Sequence, residues 1–557
     1  MLFERLFARR APMAHARSSE VDAVIIGAGF SGLYMLHRLR EQGFTTRLIE
    51  AAAGVGGTWF WNRYPGARCD SESHYYCYSF SEEIRKGWKW SCRYPAQPEI
   101  LGYLNFVADQ LDLKKDIDFS TRMLAGNYDE ETQKWLVDTD KGETVRARFL
   151  ITGVGNTSTP AKPAIPGIES FAGKVYHTAL WPAEKIDFTG QRVGLIGTGS
   201  SGIQSTPMIA EQADQLTVFQ RTANYSVPAR NYNLTEDMRR EREENYDEMR
   251  RMVLASPIGM PFEIPQKSAL EVSDEERKAT LDKLWELGSF RFMFASYKDI
   301  VLDLKANATV AGYIEAKIRA TVNDPAKADI LCEFNHPVGT KRPPIDTNYY
   351  ETFNRNNVSI VSVRTNPIKE ARADGLVMTN GDHHRLDAIV FATGFDTVTG
   401  TLIKLNLRGK GGLSLAEKWT DGPRAYLGLC SAGFPNLFMI TGPGTPGILT
   451  NFPGCIEQNV DWITDVMVRM RDTGAVEIEA LVDAESQWVE DIVKVADTTL
   501  LTKVDSWYMN SNLPGKPRVF TAYFSGMQTY AGVCADVARS GYAGFDIRSH
   551  EMAEAAA

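Results

Sequence analysis

Two stretches 170 residues apart carry the same backbone chemistry. GAGFSG at Gly27–Gly32 follows the β-branched run VDAVII (Val21–Ile26) and leads into the helical pattern LYMLHRLREQG. GTGSSG at Gly197–Gly202 follows VGLI (Val193–Ile196) and leads into IQSTPMIAEQA. In a strand–turn–helix of this kind the first glycine makes the bend and the second lets the backbone approach a pyrophosphate. The third lets the helix pack on the strand, so that its positive N-terminus faces the phosphates. The candidate contacts are Gly27, Gly29, Ser31 and Gly32 in the first turn. In the second they are Gly197, Thr198, Gly199, Ser200, Ser201, Gly202 and the nearby Gln204.

Each unit continues into a second strand, and the residue near its end differs. TTRLIE ends in Glu50, an acid suited to accept hydrogen bonds from ribose hydroxyls and to repel a 2′-phosphate. QLTVFQRT carries Arg221 at the matching place, next to Thr222, where a guanidinium pairs with a 2′-phosphate. The first unit is therefore expected to hold FAD and the second NADPH. Such an enzyme moves hydride from nicotinamide to flavin, and the flavin passes electrons onward. A disulfide acceptor needs a CxxC pair, which is absent, and no ligand cluster for haem or iron–sulfur is present. Elimination leaves dioxygen, hence an oxidase or a monooxygenase.

These residues need two dinucleotide-binding folds to position them, and 557 residues suffice for two or three domains. The expected fold is α/β, with two Rossmann-like domains and a helical insertion. Residues 20–155 and 389–547 form the FAD-binding domain, and 156–230 with 330–388 the NADPH-binding domain. The charged, helix-patterned stretch 231–329 is the insertion. Residues 1–19 and 548–557 read as a flexible leader and tail. Apolar residues make up 43% and charged residues 24%, as in a soluble globular enzyme. A net charge of −9 argues against nucleic acid as the main partner. Apolar runs too short to span a bilayer argue against a membrane. Seven scattered cysteines, read as reduced thiols, and the lack of a secretory signal point to the cytoplasm. No metal site is expected.

Between the two turns stands FAGKVYHTALWP (Phe171–Pro182), which resembles the FxGxxxHxxxW(P/D) fingerprint of type I Baeyer–Villiger monooxygenases. GGTWFWNRYPGARCD (Gly56–Asp70), GTKRP (Gly339–Pro343), YYETFNRNNV (Tyr349–Val358), ATGFD (Ala392–Asp396) and SWYMNSNLPGKPR (Ser506–Arg518) are similar to the same family. The likeness runs from about Val21 to Ile547 and is to the branch of cyclohexanone, phenylacetone and steroid monooxygenases. It implies an NADPH- and O2-dependent enzyme that converts small-molecule ketones to esters or lactones through a C4a-peroxyflavin, and that also oxygenates sulfides. The alternative is a flavin monooxygenase acting on amine or sulfur nucleophiles.

The resemblance also implies roles. Arg342 matches the catalytic arginine, a permanent cation beside the flavin, and Asp70 the acid that pairs with it. Lys341 matches a second 2′-phosphate contact, and Trp507 a loop tryptophan that covers NADP. Gly57, Thr58, Trp59 and Tyr76 match FAD contacts. Gly447, Ile448, Leu449 and Phe452 line the flavin's substrate side, and Phe452 counts among the cofactor contacts as well. His177, in the linker between domains, is expected to couple domain motion rather than transfer protons. The segment Met509–Pro514 departs from the family pattern by lacking a glycine, which matters if the backbone there needs a positive φ.

Overall fold

The computed structural model describes residues 18–549. Its first sheet has eight strands. At its centre β1 (Ser18–Ile26) lies parallel to β2 (Thr46–Ile49) on one side and to Thr144–Thr152 on the other. The helix α1 (Phe30–Glu41) connects β1 to β2, so Gly27–Gly29 and Glu50 both emerge at the C-terminal edge of the sheet. Beyond Thr144–Thr152 the sheet turns antiparallel, through Lys134–Thr139 and Met123–Asp129. Leu437–Met439 also joins it, parallel to the end of Thr144–Thr152, so the chain returns to this domain late.

The second sheet has five strands, all parallel. Their order is Val358–Ser362, β4 (Gln215–Gln220), β3 (Arg192–Ile196), Ala388–Phe391 and Lys174–His177. Every residue of β3 after Arg192 is buried, as expected for a strand covered on both faces. The helix α2 (Ser200–Ala210) leads from β3 to β4. Phe391 stands in register with both Ile196 and His177, which brings the second glycine turn, ATGFD and the fingerprint histidine to one sheet edge. In parallel α/β sheets ligands bind at that edge.

The insertion is a set of helices between Glu236 and Leu331. Its ends are held together by a two-stranded parallel ladder, Val227–Pro228 with Ile345–Asp346. Side chains at the N-caps, Thr235, Ser273, Asp303 and Asp324, accept backbone N–H groups of the first turns, which is why these polar segments start where they do.

Three boundaries move. Ala388–Phe391 is an inner strand of the second sheet, so the chain leaves that domain after Phe391 and not at residue 389. Ser18 and Ser19 pair with Thr144 and Val145, so the strand begins inside the expected leader. Arg548 and Ser549 pair with Glu477 and Ala475, inside the expected tail. In each case ladder pairing to a distant strand overrides a weak local signal. The remainder of the expected leader and tail lies outside the described residues.

Candidate functional site

The first glycine turn is built for close approach. A Cβ at Gly32 would stand 1.8 Å from the Gly27 carbonyl oxygen, so only glycine lets α1 pack there. Gly29 is the N-cap of α1, with φ −86°, and no side chain caps the helix. A Cβ on it would meet only the backbone of Gly57, at 3.4 Å. The first N–H groups of α1 are thus left for a ligand. Ser31 is buried in that first turn. Glu50 is 5% exposed, and its carboxylate accepts the N–H groups of Ala28 at 2.6 Å and Ala52 at 2.7 Å. Burial pushes this carboxyl above its ordinary range, and the two N–H groups oppose the rise. Glu50 therefore braces the turn itself, and the remaining lone pairs of its carboxylate fit a ribose hydroxyl.

Gly57 leads into the short helix Thr58–Trp61. Trp59 donates its indole N–H to Tyr76 Oη at 3.1 Å, and Tyr76 packs edge-on against Phe30 at 5.3 Å. These residues pack beside the first turn of α1. Thr450 Oγ1 and Asn451 Oδ1 are buried without a partner directly after Gly447–Leu449. Phe452 begins α3 (Phe452–Asp472) at the same place. FAD fits the first turn, with its uncapped helix N–H groups and an acid at the end of the second strand.

The second turn is open. Gly202 is again forced, since a Cβ would stand 2.0 Å from the Gly197 carbonyl oxygen, but one on Gly199 would meet nothing within 4 Å. Gly199 caps α2 without a side-chain hydrogen bond, and Gly199 and Ser200 are exposed, with Ser201 half-buried. Thr198 donates to the Thr222 carbonyl at 2.8 Å, tying the turn to the end of β4. Arg221 is exposed there. Lys341 donates from Nζ to the Asp505 carbonyl at 2.5 Å. Burial, and next the charge of Arg221, hold the Lys341 ammonium below its usual range. Two cations facing one space fit the 2′-phosphate of NADPH. The Gln204 amide donates to the Arg68 carbonyl at 3.0 Å and accepts Tyr64 Oη–H at 2.8 Å, so it also ties α2 to the first domain's loop, with one N–H and one lone pair left over.

Arg342 lies where three regions meet. Its Nε and Nη2 donate to the two carboxylate oxygens of Asp70, at 2.7 and 3.0 Å. Nη1 makes only a long contact, 3.4 Å, to the Ile448 carbonyl. The Phe290 ring from the insertion covers the guanidinium at 4.9 Å. Burial opposes the charge, but Asp70 more than offsets it, so the arginine pKa rises above its ordinary value. Of the five N–H donors, those on Nη1 remain uncommitted to a strong acceptor. Tyr508 and Tyr76 stand nearby as neutral phenols, their pKa values raised by burial.

Trp507 is half-buried and packs on Tyr508 at 4.8 Å. Its loop is fastened by Lys516 to Asp396 at 2.6 Å and by Asn512 Nδ2 to the Phe395 carbonyl at 2.7 Å. Asn510 has φ +53°, the position where the missing glycine mattered. Asparagine tolerates this region, and its side chain compensates by accepting from Thr399 Oγ1 and donating to the Pro517 carbonyl. His177 is buried. Its Nδ1 accepts the Ala179 N–H, so Nε2 carries the proton and donates to Ala161 O at 3.2 Å. Burial lowers its pKa, and neither nitrogen is left for substrate.

Phe290, Tyr508 and Tyr64 escaped the sequence reading. Tyr508 has a signal, its place beside Trp507 in SWYMNSN, whereas Phe290 has none outside the tertiary contact. All seven cysteines are free, and the described residues hold no group of three or more His, Cys, Asp or Glu able to hold a metal. No described helix is long and apolar enough to cross a membrane.

Residues 24–256 match the pyridine nucleotide-disulphide oxidoreductase family. The chain is 42% identical over 526 residues to a Baeyer–Villiger monooxygenase of Pseudooceanicola batsensis, covering 94% of this chain and 96% of that one. It is 42% identical over 530 residues to a phenazine N-monooxygenase of Lysobacter antibioticus, covering 95% and 97%. A solved structure, an oxidized steroid monooxygenase bound to NADP, superposes with a TM-score of 0.91 at 48% identity, covering 95% of this chain and 100% of that one.

Proposed function

The chain belongs to the Baeyer–Villiger monooxygenases, FAD- and NADPH-dependent enzymes, and we propose that it oxidises small-molecule ketones to esters or lactones at Arg342. FAD held by this chain would supply the hydride acceptor for NADPH and the centre that activates dioxygen. We assign FAD to the groove of Gly29, Glu50, Trp59 and Tyr76, and NADPH to Gly199, Arg221 and Lys341.

The observation that carries the reading is the Asp70–Arg342 pair. The fork to Asp70 fixes the guanidinium plane and leaves Nη1 pointing away from the carboxylate. A permanent cation held this way stabilises negative charge that builds on the ketone's carbonyl oxygen, with no reorganisation at the moment of reaction. Phe290 excludes water from one face of that cation. Ile448, Leu449 and Phe452 bound the space for the substrate, and the loop carrying Trp507 shields the nicotinamide side.

Kinship with a phenazine N-monooxygenase supports a second reading, oxygen transfer to an aromatic nitrogen. One experiment separates the two. FAD-loaded enzyme receives NADPH, ¹⁸O2 and a panel of linear, cyclic, aryl and steroid ketones alongside heteroaromatic amines. One labelled oxygen in an ester or lactone is the expected result. Labelled N-oxides, with every ketone recovered unchanged, would replace the proposal by the second reading.

A further inference from the structure

A cleft of about 400 Å³ plays no part in the chemistry assigned above. It lies where residues 74–103 of the first domain meet the insertion helices Glu236–Glu244 and Tyr246–Ala255. Neither Arg342, Asp70, Phe452 nor Arg221 lines it. Its size suits a small organic molecule.

Its walls are aromatic. Trp88 and Trp90 meet edge-on with centroids 6.0 Å apart, Tyr103 packs on Trp90 at 5.0 Å, and Tyr246 lies under the Arg85 guanidinium at 3.8 Å. Its charge runs against that of the chain, which carries −9 overall. Arg85, Lys86, Lys89, Arg239, Arg240 and Arg242 line the cleft, against only Glu236 and Glu243.

Four of these cations are already paired. Arg85 binds Glu243, Lys86 binds Glu82, Arg239 binds Glu236 at 2.9 Å, and Arg240 binds Asp237 at 2.5 Å. The other two are not. Lys89 is exposed and forms no ion pair among the described residues, and Arg242 has only a 3.4 Å hydrogen bond from Nη2 to Tyr232 Oη.

Three polar atoms of residues lining the cleft are buried without any partner: Arg242 Nη1, Trp88 Nε1 and His74 Nδ1. Buried polar groups in folded proteins are nearly always satisfied. Guanidinium and indole nitrogens only donate, so what both lack is an acceptor. Glu72 Oε2 is 3.8 Å from His74 Nδ1, too far to bond it. Burial, and next the charge of Arg242, hold the His74 imidazole down at about 3, so it adds no cation at neutral pH.

We propose that this cleft binds an aromatic carboxylate, its carboxyl group turned to the Arg242 guanidinium, which has no ion pair among the described residues, and its ring against the aromatic wall of Trp88 and Trp90. Lys89 supplies long-range attraction at the mouth. The ligand is not the ketone, because the cleft is lined by none of the residues around Arg342 that bind it.

Calorimetric titration of the FAD-loaded full chain with 2-naphthoate, and in parallel with the neutral 2-naphthalenemethanol, tests this. The carboxylate is expected to bind at least tenfold more tightly than the alcohol. Arg242→Gln should weaken it at least tenfold. Lys89→Glu, which removes no contact, should weaken the carboxylate severalfold and leave the alcohol unaffected, and it carries the test if Arg242→Gln does not fold. Steady-state rates should show 2-naphthoate not competing with a ketone. Equal affinity for acid and alcohol, a Lys89→Glu chain that binds both as before, or competition with the ketone would overturn the proposal.

Discussion

The two glycine turns share a sequence pattern and sit in opposite surroundings. Around the first, the helix residues Phe30–Leu36 are buried, Gly29 faces the backbone of Gly57, and both oxygens of the Glu50 carboxylate are held by N–H groups. Around the second, Gly199 and Ser200 are exposed, a Cβ on Gly199 would meet nothing, and Arg221 stands in solvent. One βαβ motif thus builds a groove enclosed by the fold and a groove left open. An enclosed groove suits a cofactor that stays through many turnovers. An open one suits a cofactor that must leave after giving up its hydride.

The sharpest way to break this comparison is to fill each groove in turn. Gly29 has an ordinary φ of −86°, so Gly29→Val should not strain the backbone. We expect a folded protein, by circular dichroism, that purifies without flavin colour. Gly199→Val should remain yellow and be reduced by NADPH at least ~10-fold more slowly, about 1.4 kcal/mol. Loss of flavin from the Gly199 variant with retention in the Gly29 variant would exchange the two assignments.

A smaller effect tests the open groove's selectivity. Charge-assisted hydrogen bonds contribute about 1.5–3 kcal/mol, so Lys341→Ala should raise KM for NADPH by roughly 10- to 100-fold. KM for NADH, which has no 2′-phosphate, should hardly move. Equal changes for both would remove Lys341 from the phosphate.

The smallest effect is a pH shift. Lys341 must be charged to hold the phosphate, and its pKa is lowered by burial and by Arg221. NADPH affinity is then full below that pKa and falls as pH rises through it, beginning below the usual lysine value of 10.5. Arg221→Ala removes the repelling neighbour, so the fall should move to higher pH even as affinity at neutral pH declines. Binding titrations across pH in which the inflection stays fixed would show that the two cations do not face one space.

The same contrast explains what the sequence made legible. Both turns and their second strands could be read because a bend, a close approach and a strand-end residue are local demands on a few consecutive positions. Arg342 and Asp70, 272 residues apart, could be paired only through the family resemblance, since nothing local marks either. Phe290 was invisible, because an insertion phenylalanine meets Arg342 only when the fold lays it there. The second tie of Gln204, to Tyr64 and Arg68, was equally hidden, because their approach depends on how the two domains dock. The Phe391 boundary slipped for a related reason. A four-residue apolar run fits either sheet until its pairing to both β3 and Lys174–His177 is known.

The central claim is that the cation held by Asp70 directs oxygen into the ketone. Its most direct test is the partition of NADPH electrons in Arg342→Ala, measured as ester and hydrogen peroxide formed per NADPH consumed. Flavin should remain bound, because Gly29 and Glu50 lie elsewhere, and NADPH should still be oxidised. Loss of a preorganised oxyanion partner costs about 2.7–4 kcal/mol, so ester formation should fall by roughly 10²–10³, with hydrogen peroxide accounting for nearly all the NADPH. Lysine at this position should recover little, since a point charge cannot both fork to Asp70 and reach the substrate. Ester formation by Arg342→Ala at near the unmodified enzyme's yield per NADPH would contradict the account.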